Sequence, residues 1–251
     1  DASEEELGGA EMHASTSGLC EHLAEDDADG IRLAREVLAK LDWNRDLRPE
    51  QKSVAAPRRD IDELLGLVPL DTKKPYDVRE VICRIVDDSD FLDFKPGYGV
   101  STVCGHAVLD GHAVGIIGNN GPIDPAGATK ASHFIQACCQ SGTAIIYLQN
   151  TTGYIVGKAS EQAGMIKHGA KMIQAVANAS VPQITLHIGA SFGAGNYGMC
   201  GRAYGPRFAF SWPNAKTAVM GGEQAAMTMR LVMEAKLKRG GTGDAKAVDT
   251  A

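Results

Sequence analysis

A chain of 251 residues is long enough for one large domain or parts of two, with a core of ordinary size. Its 44% hydrophobic and 22% charged residues describe a globular protein, and a formal charge of −6 with no basic, aromatic-studded patch argues against nucleic acid as the main partner. Apolar runs such as Ala144–Leu148 are far too short to span a bilayer, so no membrane association is expected and the protein reads as intracellular.

The first thirty residues are polar and acidic and carry too few apolar positions to fold alone. Ile31–Leu41 reads as a helix, with Ile31, Ala34, Leu38 and Leu41 on one face. From 42 to 74 prolines and charges alternate without a period, which predicts a linker and a domain boundary. Asp77 and Glu80 form a capping-box pattern ahead of Val78, Val81, Ile82, Ile85 and Val86, predicting a helix over 77–86. Thr102–Leu109 and His112–Ile117 flank Asp110-Gly111, the preferred two-residue hairpin turn. Beyond it the pattern predicts a helix over Thr129–Gln140, a buried strand over Ala144–Gln149, and a helix capped by Ser160 and running through Ala177. Strands follow at Gln183–Ile188, Phe208–Ser211 and Thr217–Met220. This order predicts α/β layering built from strand-strand-helix units.

The stretch after Gln183 matches three catalytic patterns. Gly189-Ala190-Ser191-Phe192-Gly193 spells G-x-S-x-G, the nucleophile turn of α/β-hydrolases, but there an acid and then a histidine must follow the serine. All seven histidines precede Ser191, so that triad cannot be assembled in order. Gly193-Ala194-Gly195-Asn196-Tyr197-Gly198 spells the dinucleotide fingerprint, which needs an uninterrupted helix after it; Gly201, Gly205 and Pro206 crowd that space. Gly153–Lys158 hints at a phosphate loop but is one residue short and lacks Ser or Thr after the lysine. The third reading is physical: small residues at a helix start let a ligand oxygen reach main-chain N–H groups that have no partner inside the helix, which makes an oxyanion hole. From spacing alone, a plain tight turn is an equal alternative. Six cysteines without a C-x-x-C pair read as reduced thiols, the histidines lack metal-ligand spacing, and no metal site is expected.

Three longer segments carry a resemblance. Tyr147–Gly157, Gly189–Arg202 and Trp212–Ala226 closely resemble the carboxyltransferase (β) subunit of biotin-dependent acyl-CoA carboxylases, in the branch acting on 3-methylcrotonyl-CoA and geranyl-CoA. Glu5–His13 resembles the end of the family's amino-terminal domain and Pro75–Ala251 the first part of its carboxy-terminal domain. The resemblance therefore implies a remnant of one domain over 1–41, a linker over 42–74 and an incomplete second domain over 75–251, each crotonase-like, a spiral of strand-strand-helix turns.

It also implies a reaction: transfer of the carboxyl group from carboxybiotin to the γ carbon of a branched enoyl-CoA, through enolates held in backbone oxyanion holes. The catalytic donors would be the N–H groups of Ala194 and Gly195, and Gly153, Tyr154, Phe192 and Gly193 would shape the biotin pocket. Arg202 and Arg207, read from the residues themselves, either pair with carboxylates at a subunit interface or lie on a solvated surface, the latter being the commoner case for a single arginine. Implied partners are a biotin carboxylase and biotin carrier α subunit, which brings the biotin, the acyl-CoA substrate, and further β subunits, at least a dimer and by resemblance a hexamer. The implied location is the cytoplasm, or the mitochondrial matrix in a eukaryote. A biotin-dependent decarboxylase subunit and a non-catalytic assembly module are the competing readings.

Overall fold

The central strands are buried along most of their length on both faces, and this places one sheet between two apolar layers. The computed structural model describes residues 2–40, 54–69, 71 and 74–238. In chain order these residues form α1 (Asp27–Lys40), α2 (Val78–Ile82), β1 (Phe91–Asp93), β2 (Thr102–Leu109), β3 (His112–Asn119), α3 (Pro125–Ser141), β4 (Ala144–Thr151), α4 (Lys158–Gln162), α5 (Met165–Ala177), β5 (Gln183–Phe192), α6 (Gly193–Gly198), β6 (Phe208–Ser211), β7 (Lys216–Ala218) and α7 (Gly222–Lys238). The sheet runs β1-β2-β3-β4-β5-β6, with β7 also on β5. β1, β2 and β3 are antiparallel neighbours; β3, β4, β5 and β6 are parallel.

Ile117, Ile145 and Tyr147 face α3 and α5, where Phe134, Cys138 and Met172 close one core. The intervening residues Ile116, Ile146 and Leu148 face the other way, onto Val78, Val81 and Ile82 of α2. Two-sided burial explains why β4 is an unbroken apolar run. Leu64, Leu67 and Tyr76, before α2, pack against this second layer. Val68 is buried in it, and Glu63 pairs with Arg84.

The hairpin turns at Asp110-Gly111 as expected, and the Asp87 carboxylate accepts both turn N–H groups at 2.9 Å. Elsewhere local boundaries differ from the sequence reading. Asp77 does cap α2, accepting from the Arg79 N–H, but the Glu80 carboxylate turns away to Arg84, and the helix stops at Ile82. α3 starts four residues earlier than predicted, because Asp124 caps it and Pro125 supplies the preset first turn. The single helix predicted from Ser160 is two, α4 and α5. Gly164 takes φ +85 between them, and Ser160 lies inside α4 rather than capping a helix. α1 ends, among the described residues, at Lys40, and Leu41 of the predicted helix lies outside them. β1, the turns over Glu4–Ser17 and α7 have no counterpart in the sequence reading.

Two buried lysines tie the polar amino-terminal segment to this body. Lys130 on α3 donates to the carbonyls of Lys95 and Tyr98 at 3.0 and 2.9 Å, which fixes the loop between β1 and β2. Lys95 in turn donates to the Gly18 carbonyl and lies 3.1 Å from the Glu21 carboxylate.

His106 on β2 packs its ring 4.9 Å from that of Phe134. Burial above all, helped by the positive charges of Lys40 and His22, pushes its imidazole from 6.5 down to about 4. Between those values the unfolded chain binds a proton that the folded chain refuses, so this contribution to stability is complete above about pH 6.5 and is lost as pH falls towards 4. The urea midpoint of the wild type is therefore expected to fall more between pH 7 and pH 5 than that of His106→Asn; equal falls would contradict the assignment.

Candidate active site

β5 carries the chain to the carboxyl end of the sheet, and its last residues leave one neighbour for another. Ile184–His187 pair with β6, and Ala190–Phe192 pair with β7. Against β4 the register passes from Gln149↔His187 to Thr151↔Ser191, so β5 carries two extra residues there. The Asn150 side chain fills the bulge, accepting from the Ala190 N–H at 3.3 Å.

Gly193 follows with φ +57, and α6 starts without a side-chain cap. Neither the Ala194 nor the Gly195 N–H has a hydrogen-bond partner among the described residues. Ala194 is exposed, while Gly195 is buried behind it. The depth of Gly195 comes from close backbone approach: a Cβ there would stand 2.7 Å from the Gly153 Cα. Gly153 itself takes φ +116 and lies beside the Phe192 carbonyl.

Beneath the turn lies a closed polar network that the sequence reading did not anticipate. Ser191 donates through its hydroxyl to Gln149 Oε1, and Asn196 Nδ2 donates to Ser191 Oγ at 2.7 Å and to the same Oε1 at 3.3 Å. Gln149 Nε2 donates to the Met199 carbonyl at 2.6 Å. Gln149 and Ser191 are wholly buried. The available signal was Gln149 itself, an amide closing the apolar run Ile145–Leu148.

These contacts dispose of two motif readings. Ser191 is buried and hydrogen-bonded to an amide, not to a histidine; His187, on the same strand, faces Ser211 instead. α6 ends after six residues, too short for the helix of a dinucleotide site. Among the described residues, no Asp, Glu, His, Lys or Cys side chain hydrogen-bonds to a side chain of residues 191–198. The turn offers main-chain donors instead of a titrating group.

Tyr154 sits between two helices. Its ring lies against Gly169 of α5, and its hydroxyl donates to the Gly169 carbonyl at 3.3 Å and abuts Gly198 of α6. Burial pushes its phenol well above the ordinary range, so it stays neutral. Phe192 is buried in β5, while Tyr197 is exposed beside Tyr204. Arg202 and Arg207 form no ion pair among the described residues. A pocket of about 260 Å³ lined by Pro75, Asn120, Pro122, Asn150, Thr152 and Ala190 opens at the same end of the sheet.

Strand-strand-helix layering around one sheet, with a glycine turn at the strand ends, is a crotonase-like architecture. Residues 1–250 match the carboxyl transferase domain, and the chain belongs to that family. It is 50% identical over 230 residues to the mitochondrial methylcrotonoyl-CoA carboxylase β chain of Dictyostelium discoideum, covering 92% of this chain and 39% of that one. The crystal structure of the P. aeruginosa geranyl-CoA carboxylase β subunit is similar over 99% of this chain and 47% of its own, with 57% identity and a TM-score of 0.73. Transcarboxylase 12S, solved as a hexamer with hydrolysed methylmalonyl-CoA bound, covers 91% of this chain and 46% of its own at 37% identity and a TM-score of 0.83. The chain thus spans less than half the length of each of these relatives.

The close packing of α6 is directly testable. A methyl added at Gly198 would stand 2.2 Å from the Tyr154 hydroxyl oxygen. Gly198→Ala is expected to destabilise the protein by about 1–3 kcal/mol, and the double variant with Tyr154→Phe to recover part of that loss in urea unfolding. Additive losses would contradict the contact.

Proposed function

We propose that the chain forms part of the carboxyltransferase component of a biotin-dependent acyl-CoA carboxylase, in which the N–H groups of Ala194 and Gly195 are the catalytic donors. The observation that carries this reading is a pair of adjacent main-chain donors, unpaired within the described residues, at a turn of a carboxyl transferase domain where Ala194 is exposed and Gly195 lies buried behind it. A carbonyl oxygen that gains negative charge suits such donors: they are already oriented, and near a low-dielectric wall they need no reorganisation as the charge forms. The ureido oxygen of biotin has that chemistry. When bound, biotin supplies the carboxyl group and an oxygen on which negative charge gathers as that group leaves.

The chain's own residues have distinct parts in this account. Ala194 and Gly195 hold the oxygen. Gly153 leaves room for Gly195 to approach, Gly193 makes the bend, and Phe192 and Tyr154 form the apolar wall that keeps the turn from collapsing. No proton transfer by a side chain of this segment is required.

The substrate is a branched enoyl-CoA, carboxylated at its γ carbon. This follows the relatives named for methylcrotonoyl-CoA and geranyl-CoA, which share half or more of their aligned residues with this chain. Biotin would arrive on an α subunit that also carries the biotin carboxylase. Assembly into a β-subunit hexamer follows the hexameric neighbour. The division at 42–74 would separate the end of one crotonase-like domain, 1–41, from another over 75–251, and the working compartment would be the cytoplasm or the mitochondrial matrix.

Ala194→Pro isolates the donor, because proline in the first turn of a helix removes an N–H that the helix does not use. In the assembled carboxylase this variant is expected to lower carboxylation of 3-methylcrotonyl-CoA or geranyl-CoA by about 10²–10³-fold. Biotin carboxylation by the α subunit should persist. Wild-type turnover would refute the role of this N–H.

A further inference from the structure

A helix of six residues, three of them glycine, does not hold its own geometry, since helices this short are unstable without tertiary support. α6 also has no side-chain cap at its start. Something outside the helix must set where the Ala194 and Gly195 N–H groups point.

We propose that Gln149 is the positioning residue for these two donors, acting as a clamp on both ends of α6. The inference rests on the reading that Ala194 and Gly195 donate to the oxygen in transfer. Gln149 is the one side chain among the described residues that hydrogen-bonds to the approach to α6, to its body and to its exit. Its Oε1 receives the Ser191 hydroxyl, two residues before the helix, and the Asn196 amide within it. Its Nε2 reaches the Met199 carbonyl one residue past the helix. Asn196 closes the ring by donating to Ser191 Oγ.

Each hydrogen in this ring has one direction. The Ser191 hydroxyl gives its proton to Gln149 and accepts from Asn196, so Oε1 must be the doubly accepting atom and Nε2 the one facing the Met199 carbonyl. The amide is therefore locked in one orientation. It projects from β4, which lies between β3 and β5 and is packed on both faces. A rigid strand thus fixes a turn that cannot fix itself, and electrostatic stabilisation of a developing charge requires that fixity before the reaction begins. Binding in the ground state depends on it less, so the clamp's effect belongs in turnover rather than in affinity.

Two isosteric variants test this in the full carboxylase, with 3-methylcrotonyl-CoA and geranyl-CoA as substrates. Gln149→Met removes all three hydrogen bonds at nearly constant volume. It is expected to lower kcat by about 10–100-fold with KM for the acyl-CoA within about twofold. Gln149→Glu keeps both acceptor contacts and loses only the donor to Met199 until it is protonated. Its kcat relative to wild type is therefore expected to rise as pH falls from 8 to 6, a limb that Gln149→Met lacks. Should Gln149→Met fail to fold, the pH profile of Gln149→Glu decides. A kcat within twofold of wild type in either folded variant, a Gln149→Glu profile parallel to wild type, or failure of both to fold would each overturn the positioning role. Ala194→Pro, assayed alongside, separates the two readings. If it is inactive while the Gln149 variants run normally, only the clamp falls; if it is fully active, the donor assignment itself falls.

Discussion

The fold depends at its functional end on one close approach of backbone to backbone, Gly195 against Gly153. With the Gly153 Cα only 2.7 Å from where a Gly195 Cβ would lie, no other residue fits at 195 without displacing the loop after β4. That contact brings the end of β5 down onto β4, and it leaves the Ala194 and Gly195 N–H groups without a partner among the described residues. Stability and chemistry meet here: the turn is packed tightly behind and left open in front.

A site of this kind carries little chemistry in its side chains, and this explains the sparse electrostatics around it. Burial raises the Tyr154 phenol and lowers the His187 imidazole, which favours the neutral form of each. The protein's contribution is placement. In the proposed reaction, main-chain N–H groups keep their dipole at every physiological pH and bring no rotamer freedom, so a rigid sheet and a glycine turn would suffice where other enzymes assemble titrating groups.

Much of the scaffold was legible because its signals are local. Asp110-Gly111 between two alternating runs specifies a hairpin, and five consecutive apolar residues before Gln149 specify a strand buried on both faces. The break at Gly164 was not legible, since a single glycine inside a helical pattern is compatible with either continuation or interruption. The early start of α3 was written in Asp124-Pro125 and obscured by Ala126, Gly127 and Ala128, which follow. At the turn, sequence pattern singled out the segment but left three motifs in competition. Burial of Ser191 and the shortness of α6 removed two of them. Of the Gln149 network only the hub left a mark in the sequence, an amide closing an apolar run: its partners Ser191 and Asn196 lie 42 and 47 positions away along the chain, and only the parallel pairing of β4 with β5 brings them together.

The Ala194 N–H can be observed without relying on turnover. With the Gly193–Ala194 peptide bond isotopically labelled, titration of the protein with free biotin should move the Ala194 amide proton downfield as it takes on a hydrogen bond to the ureido oxygen. Biotin that binds, as judged by a rise in thermal midpoint, yet leaves that resonance in place would contradict the account.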